Sequence, residues 1–234
     1  MKQTTPFFRG AVNGIPIALG YLSVSFGFGI MAANVGLTVT EATLISLLNL
    51  TSAGQVAGVE VIAAGGTLLE MALVQLTINL RYALMALSLS QKLDSRFTLP
   101  HRMLAAHGIT DEIFGVCSAQ TEPLTPAYMY GITLTAVFGW VLGTFLGAAA
   151  GSLLPASVTA ALGIVLYGMF LAIIIPPARR QKSVLFVVLL AALLSVVCKY
   201  LLPMISTGFA VILCAVIAAA AGAVILPREE APQE

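Results

Sequence analysis

Charged side chains are scarce in this chain. They occupy 9% of its 234 positions, against about 25% in an ordinary soluble domain, and hydrophobic residues reach 59%. So little charge cannot keep a soluble surface hydrated, which argues against a water-soluble globule and makes lipid the solvent. No excess of one sign exists either. The net charge of +1 offers nucleic acid no electrostatic footprint. Histidine is limited to His101 and His107, and cysteine to Cys117, Cys198 and Cys214, none with metal-like spacing. A zinc site, a disulfide framework and a metal hydrolase therefore lack their signatures, and no cofactor is expected. No Gly-rich loop ends in Lys-Ser/Thr, so ATP-driven transport has no motif. Met1 to Arg9 lacks a separate apolar stretch with a small-residue cleavage site, so the first helix is expected to act as an uncleaved insertion signal.

What the chain does have is apolar segments. Eight stand near 12–34, 41–64, 67–90, 100–118, 127–150, 156–176, 183–202 and 205–226. A hydrocarbon core about 30 Å thick takes about 20 helical residues to cross, so these segments fill a single transmembrane domain over 1–234. An acidic tail at 227–234 is expected to be flexible. The first segment is dense in Gly, Ser and Pro, which suits close packing in lipid or a broken helix. The second is interrupted from Leu50 to Gln55, and the fourth carries His107, Thr110, Asp111 and Glu112.

Basic residues cluster at Lys2 and Arg9, at Lys92, Arg96 and Arg102, and at Arg179, Arg180 and Lys182. Short cytoplasmic loops carry the positive excess. The three clusters share a side only if two segments fail to cross, and the second and fourth are the natural candidates. The expected fold is an all-α polytopic bundle of six full spans plus two broken or re-entrant segments, both termini cytoplasmic. Seven or eight full spans remain the alternative.

Polar groups inside such a bundle need partners and mark pathways. In the third segment Glu70, Thr77, Arg81 and Ser88 share one helical stripe, while Gln75 and Asn79 occupy another face. Arg81 lies deep and calls for a carboxylate. Glu70 is about 16 Å away along the axis, so Asp111 or Glu112 is preferred. His107 and Asp111 stand four apart, as on one helix face, and an imidazole beside a carboxylate suits proton relay. Thr110 and Asp111 equally suit the cap of a half-helix, whose N-terminus attracts an anionic substrate group. The break with Ser52, Gly54 and Gln55 exposes backbone groups, and Glu60 lies just beyond it. The substrate-handling candidates are Ser52, Gly54, Gln55, Asn79, Arg81, Thr110, Asp111 and Glu112. The proton-coupling candidates are Glu60, Glu70, His107 and Asp111.

Several stretches resemble the AzlC family, the large subunit of bacterial branched-chain amino acid permeases. They are Leu68-Leu69-Glu70-Met71, Ile78-Asn79-Leu80-Arg81-Tyr82, Gly108-Ile109-Thr110-Asp111-Glu112-Ile113-Phe114, Gly139-Trp140-Val141-Leu142-Gly143-Thr144 and Tyr167-Gly168-Met169-Phe170. Around the second-segment break the family pattern is similar to Phe-Ala-Gly-x-x-Gln-Phe. Here Gln55 is kept, but Leu50 and Val56 replace the aromatics and Ser52 the glycine. The resemblance implies proton-driven export of valine, leucine, isoleucine or methionine across the bacterial cytoplasmic membrane, with a small AzlD-type membrane subunit as partner. A passive channel, and a membrane-embedded enzyme using His107, Asp111 and Glu112, are the competing readings.

Overall fold

The structure is a computed structural model and describes residues 5–150, 168, 171 and 174–226. Among these, every bounded element is an α-helix: α1 Pro6–Asn34, α2 Val39–Leu48, α3 Ser52–Ala63, α4 Leu68–Ser90, α5 Leu99–His107, α6 Asp111–Ser118, α7 Pro126–Ala150, α8 Lys182–Leu201 and α9 Thr207–Ile225. Five of them, α1, α4, α7, α8 and α9, are long and apolar enough to cross a membrane. The sixth apolar segment, 156–176, falls largely outside the described residues, as do Lys2 and the tail 227–234.

The second and fourth segments are each two helices. The second breaks at 49–51, between α2 and α3, and Gln55 lies inside α3 rather than in the break. The fourth breaks at 108–110, between α5 and α6. A rise of 1.5 Å per residue gives the nine-residue α5 about 14 Å and the eight-residue α6 about 12 Å, well short of a bilayer core. The first segment is not broken. α1 runs through Pro16 for 29 residues.

The chain forms two compact units. The first holds Met1–Val56 and Ile78–Leu166, the second Ala57–Thr77 and Tyr167–Glu234.

The axis of the first unit is α1 against α7. A Cβ on Gly10 would strike the Tyr128 carbonyl, one on Gly139 would strike Ala18, and one on Gly147 would strike the Phe26 carbonyl. Residue numbers rise together along both helices, so the two are parallel. Backbones this close leave no room for a side chain, and small residues supply the packing that lipid cannot drive. Ile17, Leu89, Phe97, Ile113, Cys117, Leu124, Tyr128 and Ile132 form the core on one side of this pair.

The α5–α6 pair is a hairpin inserted beside the first half of α7. His101 Nδ1 lies 2.6 Å from the Tyr130 hydroxyl near the start of α5. Gly108 sits against Thr133 at the tip, and Cys117 Sγ returns to 3.4 Å from Met129 Sδ near the end of α6. Both ends of the hairpin thus lie at the N-terminal end of α7. The same end gathers charge. Arg9 pairs with Glu122 at 2.8 Å, Lys92 donates to the Ser118 and Gln120 carbonyls, and Leu124 N donates to Lys92 O at 2.8 Å. Two of the three basic clusters therefore share one end of this unit. The 119–125 loop carries no Lys or Arg, and its Gln120 carbonyl and Glu122 carboxylate accept from Lys92 and Arg9. In the loop at 92–98, the Arg96 guanidinium donates to Asp94 and holds its carboxyl below the ordinary aspartate range.

In the second unit α8 and α9 run antiparallel, with Val187 against Gly222 and Cys198 Sγ 3.8 Å from Cys214 Sγ. Gly58 of α3 lies against Gln75 and Met71 of α4.

Candidate functional site

The first hairpin tip is built from the α2–α3 break. Thr38 and Glu41 form a capping box that starts α2, with Thr38 N donating to Glu41 Oε2 at 2.8 Å. The chain turns at Asn49, extended at φ −131° and ψ 91°. The Thr51 hydroxyl then accepts the Gly54 N–H at 3.4 Å and opens α3. Gln55 comes back beside α2, and its Nε2 donates to Ser46 Oγ at 2.6 Å.

The second tip follows the same plan. Gly108 caps α5, and Thr110 accepts the Ile113 N–H at 3.4 Å to open α6. In each hairpin a threonine hydroxyl holds the amide three residues on, so each break ends in a capped half-helix. The two tips touch: His107 Nε2 lies 3.3 Å from the Leu47 carbonyl.

Where they meet is a cavity of about 150 Å³. The first tip contributes Leu48, Asn49, Leu50 and Thr51, the second Ala106, His107 and Ile109, and α4 adds Asn79 and Tyr82. A cavity of roughly this size holds a ligand as large as benzene. Its lining mixes amide, hydroxyl and imidazole groups with Leu48, Leu50 and Ile109, which suits a small ligand that has both polar and apolar parts.

The sequence-predicted residues divide around this cavity. Asn79 and His107 line it. Gln55 does not. It is 1% exposed, with Nε2 on Ser46 and Oε1 accepting the Trp140 indole N–H at 2.7 Å, so both ends of the amide are held by the fold. Ser52 and Gly54 lie in the first turn of α3 behind the tip. Arg81 reaches Asp111, with Nη1 to Oδ2 at 2.8 Å and the two side chains 44% and 40% exposed. Its guanidinium also stacks over the Tyr82 ring at 5.0 Å. His107 and Asp111 do not share a helix face, because the chain breaks at Gly108 to cap α5 and start α6. Thr110 and Glu112 turn to α1, where the Tyr21 hydroxyl meets Thr110 Oγ1 at 2.5 Å and also bonds Glu112.

Glu60 and Glu70 belong to the second unit. Glu70 is 4% exposed and accepts from Ser206 Oγ at 2.5 Å and Gly208 N at 2.9 Å, at the start of α9. Among the described residues no group of three or more His, Cys, Asp or Glu side chains is placed to hold a metal ion.

Tyr21, Asn49, Thr51 and Tyr82 are site residues that sequence reasoning missed. Asn49 and Thr51 carried a local signal, since Asn-x-Thr before a small-residue run is a helix-start pattern. Tyr21 carried none, for its partner Glu112 is 91 residues away.

The AzlC protein family profile matches residues 16–154, the stretch that contains both hairpins, α7 and most of α1. This chain belongs to the AzlC family. It is 30% identical over 205 residues to the inner membrane protein YgaZ of Escherichia coli K12, covering 84% of this chain and 83% of that one. It is 34% identical over 185 residues to an uncharacterized membrane protein of Archaeoglobus fulgidus, covering 77% and 80%. A membrane protein of Helicobacter pylori J99 is 29% identical over 142 residues, 59% of this chain and 61% of its own. No solved structure matches. The chain is an all-helical, multi-pass membrane protein of this family.

Proposed function

We propose that this AzlC-family chain is the large subunit of a secondary transporter that exports hydrophobic amino acids, with valine, leucine, isoleucine and methionine as substrates. The observation that carries the reading is the cavity at which two half-helix hairpins meet. Irregular backbone at membrane depth is tolerated where it lines a cavity, and broken helices are how many transporters build a midplane site. The polar head of the substrate binds at Asn49, Thr51, Asn79 and His107, and its side chain lies toward Leu48, Leu50 and Ile109. The end of the first unit that gathers Arg9, Lys92, Arg96 and Arg102 faces the cytoplasm of a bacterium, in keeping with the positive-inside rule. The transport is driven by protons, and a small AzlD-type subunit completes the assembly.

Efflux of labelled leucine from proteoliposomes, with and without the small subunit, tests this. Efflux above that of empty vesicles is expected, with KM raised about 10-fold or more by Asn79→Leu. That corresponds to losing one substrate hydrogen bond worth about 1.5 kcal/mol. Flux equal to that of empty vesicles in the presence of the partner defeats the substrate assignment. Flux that ignores a pH gradient would instead favour a passive channel.

A further inference from the structure

We propose that the cavity between the two tips binds a zwitterion in one orientation, with His107 Nδ1 accepting from the α-ammonium of the amino acid and the Thr51 and Tyr82 hydroxyls donating to its α-carboxylate. This rests on the transport reading above and assigns the polarity of the site within it.

The first observation is charge. The residues that line the cavity include no Asp, Glu, Lys or Arg. Arg81, which follows Leu80 toward Tyr82 on α4, is paired with Asp111 at 2.8 Å. A ligand with a net charge would enter such a space without a counter-charge, at a high desolvation cost. A zwitterion carries no net charge, and each of its ends needs only hydrogen bonds of the right sense. Neutral amino acids are therefore admitted, and cationic and dicarboxylic ones are turned away.

The second observation is how each polar group in the wall is already committed. The Leu47 carbonyl can only accept, so His107 Nε2, 3.3 Å from it, is the donor. The neutral ring then has its lone pair on Nδ1, and among the described residues nothing donates to that atom. Thr51 is 4% exposed, and its oxygen accepts the Gly54 N–H at 3.4 Å. The Tyr82 oxygen accepts from Arg81 Nη2 at 3.2 Å. Each hydroxyl still has its own hydrogen to give, and no described residue takes it. The cationic donor on the Tyr82 oxygen polarises that hydroxyl and strengthens it as a donor in turn. One uncommitted acceptor thus belongs to the second tip, and two uncommitted donors belong to the first tip and to α4. That set complements an ammonium and a carboxylate, and the bonds to both are charge-assisted. A histidine that served only to tie the tips together would use Nε2 alone and leave Nδ1 without a task.

Displacement of labelled leucine from the purified transporter in detergent, in mildly alkaline buffer, tests the orientation with two analogues. Isocaproate is leucine without the ammonium, and isopentylamine is leucine without the carboxylate. His107→Leu should weaken leucine and isopentylamine about 10-fold or more, as for one hydrogen bond to a charged group, and leave isocaproate within about twofold of wild type. Equal weakening of leucine and isocaproate, which a merely structural histidine would give, overturns the proposal, and so does an unchanged affinity for leucine. If His107→Leu binds none of the three, Tyr82→Phe decides, because it removes one hydroxyl and keeps the ring. It should weaken leucine and isocaproate and spare isopentylamine. Equal weakening of all three, or none, overturns the proposal. Wild-type protein that binds no leucine defeats the transport reading itself, an outcome separate from either variant result.

Discussion

Trp140 donates its indole N–H to Gln55 Oε1 at 2.7 Å, and through that bond α7 holds the start of α3. The bond belongs to a buried chain. Gln55 Nε2 donates to Ser46 Oγ at 2.6 Å, and Ser46 Oγ lies 2.6 Å from Thr144 Oγ1. Three helices are thus joined by polar groups that all have partners. Such networks hold a unique arrangement when every member is satisfied, and become a liability when one is removed.

Gln55→Ala is therefore expected to act on stability and tip geometry rather than on substrate contact. It leaves the indole N–H and the Ser46 hydroxyl short of a partner, at a cost of about 1–3 kcal/mol. Trp140 is the sole tryptophan of the chain, so its emission reports the change directly. A shifted emission spectrum and a lower unfolding midpoint in detergent are expected. An unchanged spectrum would mean that Gln55 is not the indole's partner in the folded protein.

The Arg81–Asp111 pair is expected to be a clamp between α4 and the second hairpin. Asp111→Asn and Arg81→Gln should each lower the yield of folded protein, since each leaves one charge unpaired at membrane depth. Exchanging the charges, Arg81→Asp with Asp111→Arg, should recover part of that yield. Size-exclusion profiles of the detergent-extracted protein measure it. A double variant no better than the worse single variant would argue that the two side chains do not depend on each other.

Much of this architecture was legible because lipid makes strong demands on sequence. Long apolar runs identify α1, α4, α7, α8 and α9, while the interruption read at 50–55 and the polar fourth segment point to the two hairpins, whose breaks the fold places at 49–51 and 108–110. The partner of Arg81 was narrowed to Asp111 or Glu112, since a guanidinium at membrane depth requires an acid, and the fold pairs it with Asp111. Other features were illegible for physical reasons. Gln55 reads as a ligand because an amide beside a break usually faces the cavity. Only the tertiary fold brings Trp140 to it from 85 residues away. His107 and Asp111 have helical spacing, yet Gly108 ends one helix before Thr110 starts the next. The departures at Leu50 and Ser52 also separate in space. Leu50 lines the cavity and Ser52 begins α3, so of those two only Leu50 bears on the room left for a side chain.

Glu70 carries the last prediction, and it too was misleading in one dimension. On α4 it shares a stripe with Arg81, which suggests a pathway residue. In the folded second unit its Oε1 accepts the Ser206 hydroxyl and the Gly208 N–H, and a Cβ on Gly208 would strike the Glu70 side chain. The carboxylate caps the start of α9. An acid at a helix N-terminus satisfies an otherwise unpaired amide and meets the positive end of the helix dipole. Glu70→Ala removes both and should cost about 1–3 kcal/mol, whereas Glu70→Gln keeps an acceptor oxygen and should cost less. Gly208→Ala should destabilise too, because the added methyl displaces the carboxylate. Thermal unfolding of the three variants in one detergent gives the ranking. If Glu70→Gln is as damaging as Glu70→Ala and also abolishes the pH dependence of transport, the residue handles protons rather than capping a helix.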